Sequence, residues 1–260
     1  MKITYLIPLL FVTLISCGLA TDKNKETMTE KVKVFVSWPG AEARPHYYWD
    51  NNKNEPEGIE PQLIRRILEL ANLDYEFIKD FKFSGKGDPR IEAIVSGSAD
   101  ISIRGISINE SRKTIVDFST PYYIDGLGML VSKNSGISNI DNLKDKKVYA
   151  HEFTTAYNWV QENISECKLV TDPQGQGDYI EPEQLLTEGK IDAYFLDYSF
   201  LKNIERNNPK LLTLESKYTR EPLGIAVNKD RKDLLKAINK ALRTLEKTGE
   251  LDKLISGFNK

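Results

Sequence analysis

Ser96-Gly97-Ser98-Ala99-Asp100-Ile101 and Glu188-Gly189-Lys190-Ile191-Asp192-Ala193 spell one pattern twice: a helix end, a glycine, a turn, an aspartate and the start of a strand. Glycine suits the left-handed residue that closes many helices. Ahead of the first copy, Ile91, Ile94 and Val95 mark a helix, and Asp74 to Lys79 a strand. Ile59, Leu63, Ile64, Ile67, Leu68 and Ala71 form a helical stripe, and Val32-Lys33-Val34-Phe35-Val36 alternates as a strand. Asp100 to Ile103 closes a β-α-β-α-β run, which predicts a mainly parallel sheet with helices on both faces. The second copy has the same surroundings. Val148 to Ala150 is a strand, Ala156 to Glu162 a helix, Leu169-Val170 a strand, Glu181 to Glu188 a helix and Ile191 to Leu196 a strand. The echo predicts two α/β lobes of like architecture. The tail from Asp230 is helical, with Leu234, Leu235, Ile238, Ala241, Leu242 and Leu245 on one face. Gly249 breaks it before Leu251, Leu254, Ile255 and Phe258.

The chain has 260 residues, enough for one large domain or two lobes with real cores. Thirty-six basic residues against 38 acidic ones imply no basic face, so nucleic acid is not expected as a partner. Two cysteines exclude a disulfide scaffold, a Cys-rich zinc fold and an iron–sulfur protein. Two histidines leave little for a metal site, and no cofactor is predicted.

Lys2 precedes an apolar run from Ile3 to Ile15 that is short for a membrane span and reads as a secretion signal. Leu14-Ile15-Ser16-Cys17-Gly18 resembles the processing box of bacterial lipoproteins. The resemblance implies cleavage after residue 16 and lipid on Cys17, which would hold the protein on a membrane surface. Residues 17–30 are then a lipidated cysteine and a polar tether reaching roughly 20 Å. Cys167 reads as a core or edge residue, because no catalytic His or Asn neighbourhood accompanies it.

Ligands of open parallel sheets bind beyond the carboxyl ends of the strands. The first such place is Arg104-Gly105-Ile106-Ser107-Ile108-Asn109-Glu110-Ser111-Arg112, and the second is Asp197. Gly105 and Asp197 each stand eight residues after the echoed glycine. A guanidinium matches a carboxylate with a planar fork, and an aspartate accepts from an ammonium, so Arg112 and Asp197 together suit a zwitterion. Gly105 would let it approach the backbone, and Ser107 would add a hydroxyl and an N–H. Alternatives are a solvated Arg112 on a helix and an Asp197 that merely caps the next helix.

Gly97-Ser98-Ala99-Asp100, the Gly105–Arg112 run and Asp117-Phe118-Ser119-Thr120-Pro121-Tyr122-Tyr123 resemble the extracellular solute-binding proteins of family 3, the amino-acid receptors of ATP-driven importers. The likeness extends to Pro45-His46-Tyr47, Gly58, Leu143–Val148, Gly189–Ala193, Gly224–Val227 and the tail. It implies the type II periplasmic-binding-protein fold: an α/β protein of two lobes, with two mainly parallel sheets flanked by helices and joined by two hinge strands. The crossings fall near Tyr122–Gly126 and Glu221–Ile225. Lobe 1 would be 31–124 plus 222–260, and lobe 2 would be 125–221. The resemblance places the carboxylate-binding arginine on Arg112, with Gly105 and Ser107 beside it, and the amino-group aspartate on Asp197. It places a Gly-Thr-Thr loop on Phe153-Thr154-Thr155 and a covering aromatic on Phe83.

This chain departs from the family where Arg44, Arg104 and Phe153 stand, and Ser37-Trp38 replaces an acidic site. Arg44, Arg104 and Tyr47 are candidate ligand contacts. Two added cations and a lost acid weigh against lysine or arginine and favour a polar or acidic ligand. Equally, Arg44 and Arg104 could pair with acids such as Glu42 and leave specificity unchanged. His151 reads as a surface or loop side chain. The expectation is a monomeric, lipid-anchored, extracytoplasmic protein that is not an enzyme. It would capture an α-amino acid by hinge closure and deliver it to an ABC permease. The alternatives are a cyclohexadienyl-dehydratase-like enzyme with Glu152 or Asp197 as acid or base, and a ligand-sensing module for a separate receptor.

Overall fold

The structure, a computed structural model, describes residues 30–37, 42–171 and 181–259. The expected signal, Cys17, most of the tether and Trp38 lie outside the described residues.

The first lobe begins with β1 (Val32–Phe35) and a small antiparallel sheet of β2 (Glu42–Ala43), β3 (Tyr47–Asp50) and β4 (Glu55–Glu57). Then come α1 (Ile59–Ala71), β5 (Tyr75–Phe77), α2 (Pro89–Val95), β6 (Ile101–Ser102), α3 (Glu110–Lys113) and β7 (Asp117–Phe118). β8 (Tyr123–Asp125) leads out of it. The second lobe holds β9 (Leu127–Ser132), β10 (Lys147–Tyr149), α4 (Thr155–Asn163), β11 (Lys168–Val170), α5 (Pro182–Thr187), β12 (Ala193–Asp197), α6 (Tyr198–Asn207) and β13 (Leu211–Thr213). The chain returns through β14 (Glu221–Leu223) to β15 (Ala226–Val227), α7 (Lys232–Thr248) and α8 (Glu250–Ile255).

The two main sheets share one plan. The first is ordered β5-β1-β6-β15-β7 and the second β11-β10-β12-β9-β13. Three strands of each pair in parallel, and one strand, β15 or β9, lies antiparallel to both its neighbours. Four of five strands therefore run one way in each sheet, as expected. The repeated glycines end α2 and α5 with φ of +73° and +67° and open space around them, so conformation and not crowding demands glycine there. β8 and β14 pair as an antiparallel ribbon between the lobes, with Ile124 opposite Pro222.

Each sheet is covered on both faces. In the first lobe Leu63, Ile64, Ile67 and Leu68 of α1 meet Ile238, Leu242 and Leu245 of α7 over Val34 and Ile101. The other face holds Ile91 and Ile94 of α2 against Phe35 and Ile106. In the second lobe Ala156 and Val160 of α4 pack on Val148 and Phe195, and Leu186 and Leu201 pack on Leu130 and Tyr149 behind. A fully buried Leu or Ile contributes about 1.5–3 kcal/mol, so these stripes fix the lobes and leave the strand ends to carry chemistry.

Candidate functional site

Arg112 belongs to the single turn α3, whose cap Asn109 accepts the Arg112 N–H at 2.9 Å. The side chain is not solvated: the residue is 8% exposed. Its Nη1 donates to the Ser107 carbonyl at 2.9 Å, and its Nη2 to Asp88 Oδ2 at 2.8 Å and, across the lobes, to the Phe153 carbonyl at 3.4 Å. At most three of the five guanidinium N–H groups are thereby used, which leaves donors for an incoming carboxylate. Burial and the neighbouring Arg90 depress its pKa from the usual arginine value.

Asp88 and Arg90 underlie this arrangement, and the sequence reading missed both. The Asp88 carboxylate caps α2 by accepting the Arg90 N–H at 3.0 Å, and it grips the Arg90 guanidinium at Nε and Nη2, both 2.8 Å. Arg90 Nη1 then donates to the carbonyls of Arg104 (3.2 Å) and Gly105 (3.0 Å). Burial raises the Asp88 carboxyl, but Arg90 and Arg112 outweigh it and hold the group below the usual carboxylate range. Burial opposes the charge on Arg90, yet Asp88 more than compensates and keeps it firmly protonated. The sequence signal was Asp88-Pro89, a cap followed by proline at the first helical position.

Asp197 ends β12, where it pairs with Leu127 of β9, and precedes α6. It stands at the cap position but makes no capping hydrogen bond, which disposes of the cap alternative. It is 8% exposed, and no hydrogen bond to its carboxylate forms among the described residues. Burial first, then the charges of Asp125 and Glu221, push its pKa well above the ordinary aspartate value. A desolvated acid without a partner gains most when a cation arrives.

Gly105 faces Asp197 from the other lobe. Its φ is +55°, and a Cβ there would lie 3.2 Å from the Phe200 ring and 3.7 Å from Asp197 Oδ2. Its N–H donates to Glu60 Oε1 at 2.6 Å, and the Tyr122 hydroxyl binds the same oxygen. Glu60, fully buried at the start of α1, also escaped the sequence reading; burial raises its carboxyl. The lobes are thus in contact, in a closed arrangement, and Arg112 and Asp197 feel one another's charge across the boundary.

The other expected residues are placed as follows. Ser107 is buried, bridges to Leu223 and offers its carbonyl to Arg112. Tyr47 is buried, with the Arg104 guanidinium 4.6 Å from its ring centre. Thr154 caps α4, accepting from Tyr157 N–H at 3.2 Å and donating to the His151 carbonyl at 2.6 Å, so its hydroxyl serves the loop. Thr155 is half-buried as the first residue of α4. Phe83 is half-buried beside Ser84, which Glu92 pins at 2.8 Å. Arg44 takes the second of its two expected readings: it is half-exposed, paired with Glu42 at 3.2 Å and stacked 3.5 Å over Tyr48. His151 lies in the loop after β10 and is half-buried there. It lies 2.9 Å from the Tyr194 hydroxyl, and burial together with Arg104 and Arg90 lowers its pKa to about 4, so it is neutral. A cavity of about 440 Å³ lies elsewhere, against the ribbon and α6, lined by Tyr123, Tyr198, Lys202, Arg206, Lys217 and Phe258. Among the described residues no group of three or more His, Cys, Asp or Glu could hold a metal, and no helix is long and apolar enough to cross a membrane.

A buried guanidinium from one lobe and a buried carboxylate from the other, close enough to feel one another's charge, suit a small ligand that carries both signs of charge. The chain belongs to the bacterial extracellular solute-binding proteins, family 3, whose profile matches residues 40–259. It is 34% identical over 213 residues to the L-cystine-binding protein TcyJ of Escherichia coli (strain K12), covering 81% of this chain and 77% of that one. Among solved structures it is similar to an ancestral arginine-binding protein bound to glutamine, at 29% identity and a TM-score of 0.75, covering 89% of this chain and 98% of the other. It is also similar to the ancestral amino-acid-binding protein AncCDT-1, a precursor of cyclohexadienyl dehydratase, at 26% identity and a TM-score of 0.75, covering 88% and 95%. It is also 31% identical over 204 residues to the ABC transporter glutamine-binding protein GlnH of Bacillus subtilis (strain 168), covering 78% of this chain and 72% of that one.

Proposed function

We propose that the protein is a lipid-anchored receptor that captures one α-amino acid, polar or acidic in its side chain, and delivers it to an ABC permease. One observation carries the reading: a buried, partly unused guanidinium at Arg112 and a buried carboxylate at Asp197, on different lobes, lie close enough for each to feel the other's charge. The amino acid's carboxylate takes the remaining N–H groups of Arg112, and its ammonium restores the charge on Asp197. Ser107, Gly105, Thr154 and Thr155 complete the backbone side of the site, while Tyr47, Phe83 and Arg104 bound the side chain. The lobes, 31–124 with 222–260 and 125–221, move as two bodies about the β8–β14 ribbon, and ligand shifts the population to the closed form. Cys17 carries the lipid, and the protein acts as a monomer.

The test is calorimetry on protein stripped by unfolding and refolding, against the twenty amino acids and L-cystine. Micromolar binding, about 8 kcal/mol, is expected for at least one. Silence with all would end the reading. The raised Asp197 carboxyl also suits a general acid, so turnover of prephenate or arogenate by the same preparation would move the protein to the enzyme class.

A further inference from the structure

We propose that His46 is an affinity-determining latch: its neutral ring is clamped between the lobes in the closed form, and protonating it releases the captured amino acid. The proposal rests on the amino-acid-binding reading above.

His46 belongs to the first lobe, which fixes its main chain on both sides. Its N–H donates to the Ala43 carbonyl at 2.8 Å, and its carbonyl accepts the Glu60 N–H at 3.0 Å. One face of its ring and its Nε2, however, are held by the second lobe. Phe200 of α6 stacks on it with centroids 3.5 Å apart and planes 10° from parallel. Phe258, from the C-terminal segment, packs 4.4 Å away. Nε2 lies 3.3 Å from Ser199 Oγ, and the Ser199 hydroxyl is committed to Asp125 Oδ2. Ser199 Oγ can therefore only accept, so Nε2 carries the proton and Nδ1 is bare; this tautomer follows from the hydrogen-bond network. Nδ1 is buried without a partner.

A second proton would have to enter at Nδ1. It would create a charged donor among aromatic rings with no acceptor, which is expensive. Opening the cleft removes Phe200 and Ser199 with the second lobe and gives the ring to water. Proton binding and lobe closure therefore exclude one another. The charged groups around the ring do not relieve this. Arg206 of α6 adds a repelling charge, and burial and Arg206 together push the imidazole well below its usual value. Asp125 reaches His46 only through Ser199 and already receives the N–H groups of Ser199 and Gly126, with Lys217 at 3.7 Å. Glu60 contributes its backbone N–H to the His46 carbonyl, while its carboxylate is held by Gly105 and Tyr122. Tyr123 of the ribbon packs on Phe258.

The sign follows from linkage. An imidazole near pKa 6.5 in the open form and far lower in the closed form costs affinity only below about pH 6.5. Between pH 7.5 and 5.5 the loss is about tenfold.

The experiment is calorimetric titration at pH 7.5, 6.5 and 5.5 with whichever of L-glutamine, L-glutamate, L-arginine and L-cystine binds most tightly at pH 7.5. Wild type is compared with His46→Phe, which keeps a ring in the stack and cannot titrate. Asp197 and His151 contribute to both profiles and drop out of the comparison. Wild type is expected to lose about tenfold more affinity than the variant at pH 5.5. Should His46→Phe not fold, Phe200→Ala removes the opposing ring, hydrates His46 in both forms and should flatten the profile in the same way. Parallel profiles within twofold would overturn the latch while leaving amino-acid binding intact. No binding by any of the four at pH 7.5 would remove the latch, and silence across the full amino-acid panel would remove the receptor reading as well.

Discussion

Asp197→Asn separates the two contributions this residue makes. Asparagine keeps the shape and caps helices as well as aspartate does, and Asp197 makes no capping bond to lose. What changes is charge. In the empty closed site the carboxylate is desolvated, has no hydrogen-bond partner and feels Asp125 and Glu221. Removing it should therefore leave the melting temperature of the empty protein unchanged or slightly raised. With an amino acid bound, the ammonium loses the buried counter-charge assigned to it. Truncating one partner of a buried charged pair costs about 2–5 kcal/mol, a weakening of about 30- to 5,000-fold. Binding also lowers the raised Asp197 pKa, so wild type should release protons on binding at mildly acid pH, and the variant should not. Calorimetry in two buffers of different ionisation enthalpy reads both effects, and a thermal melt reads the third. An affinity within threefold of wild type, in a variant that melts normally, would refute the assignment of Asp197 to the ammonium.

Gly105→Ala places a Cβ 3.2 Å from the Phe200 ring at a residue with φ +55°. Strain of about 1–2 kcal/mol is common to open and closed forms, but the collision exists only in the closed one. Calorimetry should show at least a tenfold affinity loss, and X-ray scattering should show less compaction at saturating amino acid. Asp88→Ala removes a cap worth about 0.5–2 kcal/mol and strands Arg90 and Arg112, a loss of about 3–5 kcal/mol. The melting temperature should fall by about 10 °C; a fall under 2 °C would mean the cluster is not stabilising. Cys17→Ser should move the protein from the membrane fraction to the soluble fraction of cells. Retention on membranes would exclude lipid at that position.

The architecture was legible because burial imposes periodicity. The α1 stripe from Ile59 to Leu68 and the paired glycines at 97 and 189 carry local signals that tertiary packing reinforces. β9 was not legible. Leu127 to Val131 is buried on both faces, so it shows no alternation. β2 and β4, of two and three residues, are too short to carry a period. At the site, Asp197 ends β12 and Arg112 lies in the turn α3 that follows β6, the side of the sheets where topology predicts ligands. Asp88 and Arg90 were missed because their roles depend on each other and on Arg112, 24 residues from Asp88 in sequence. Arg44 stayed open between a ligand contact and a pair with Glu42 because a surface pair between near neighbours has a geometry that no spacing rule separates from a cleft contact.

The β8–β14 ribbon joins the halves by two short antiparallel segments bonded to each other. In the proposed closure the halves would swing about this ribbon like the covers of a book. Each cover keeps its own chemistry through the swing: Arg112 stays braced by Asp88 and Ser107 on one page, and Asp197 stays at its strand end on the other. In the proposed receptor, a solute would land first on the braced page, and capture would be a two-stage event whose second stage is a motion of the protein alone.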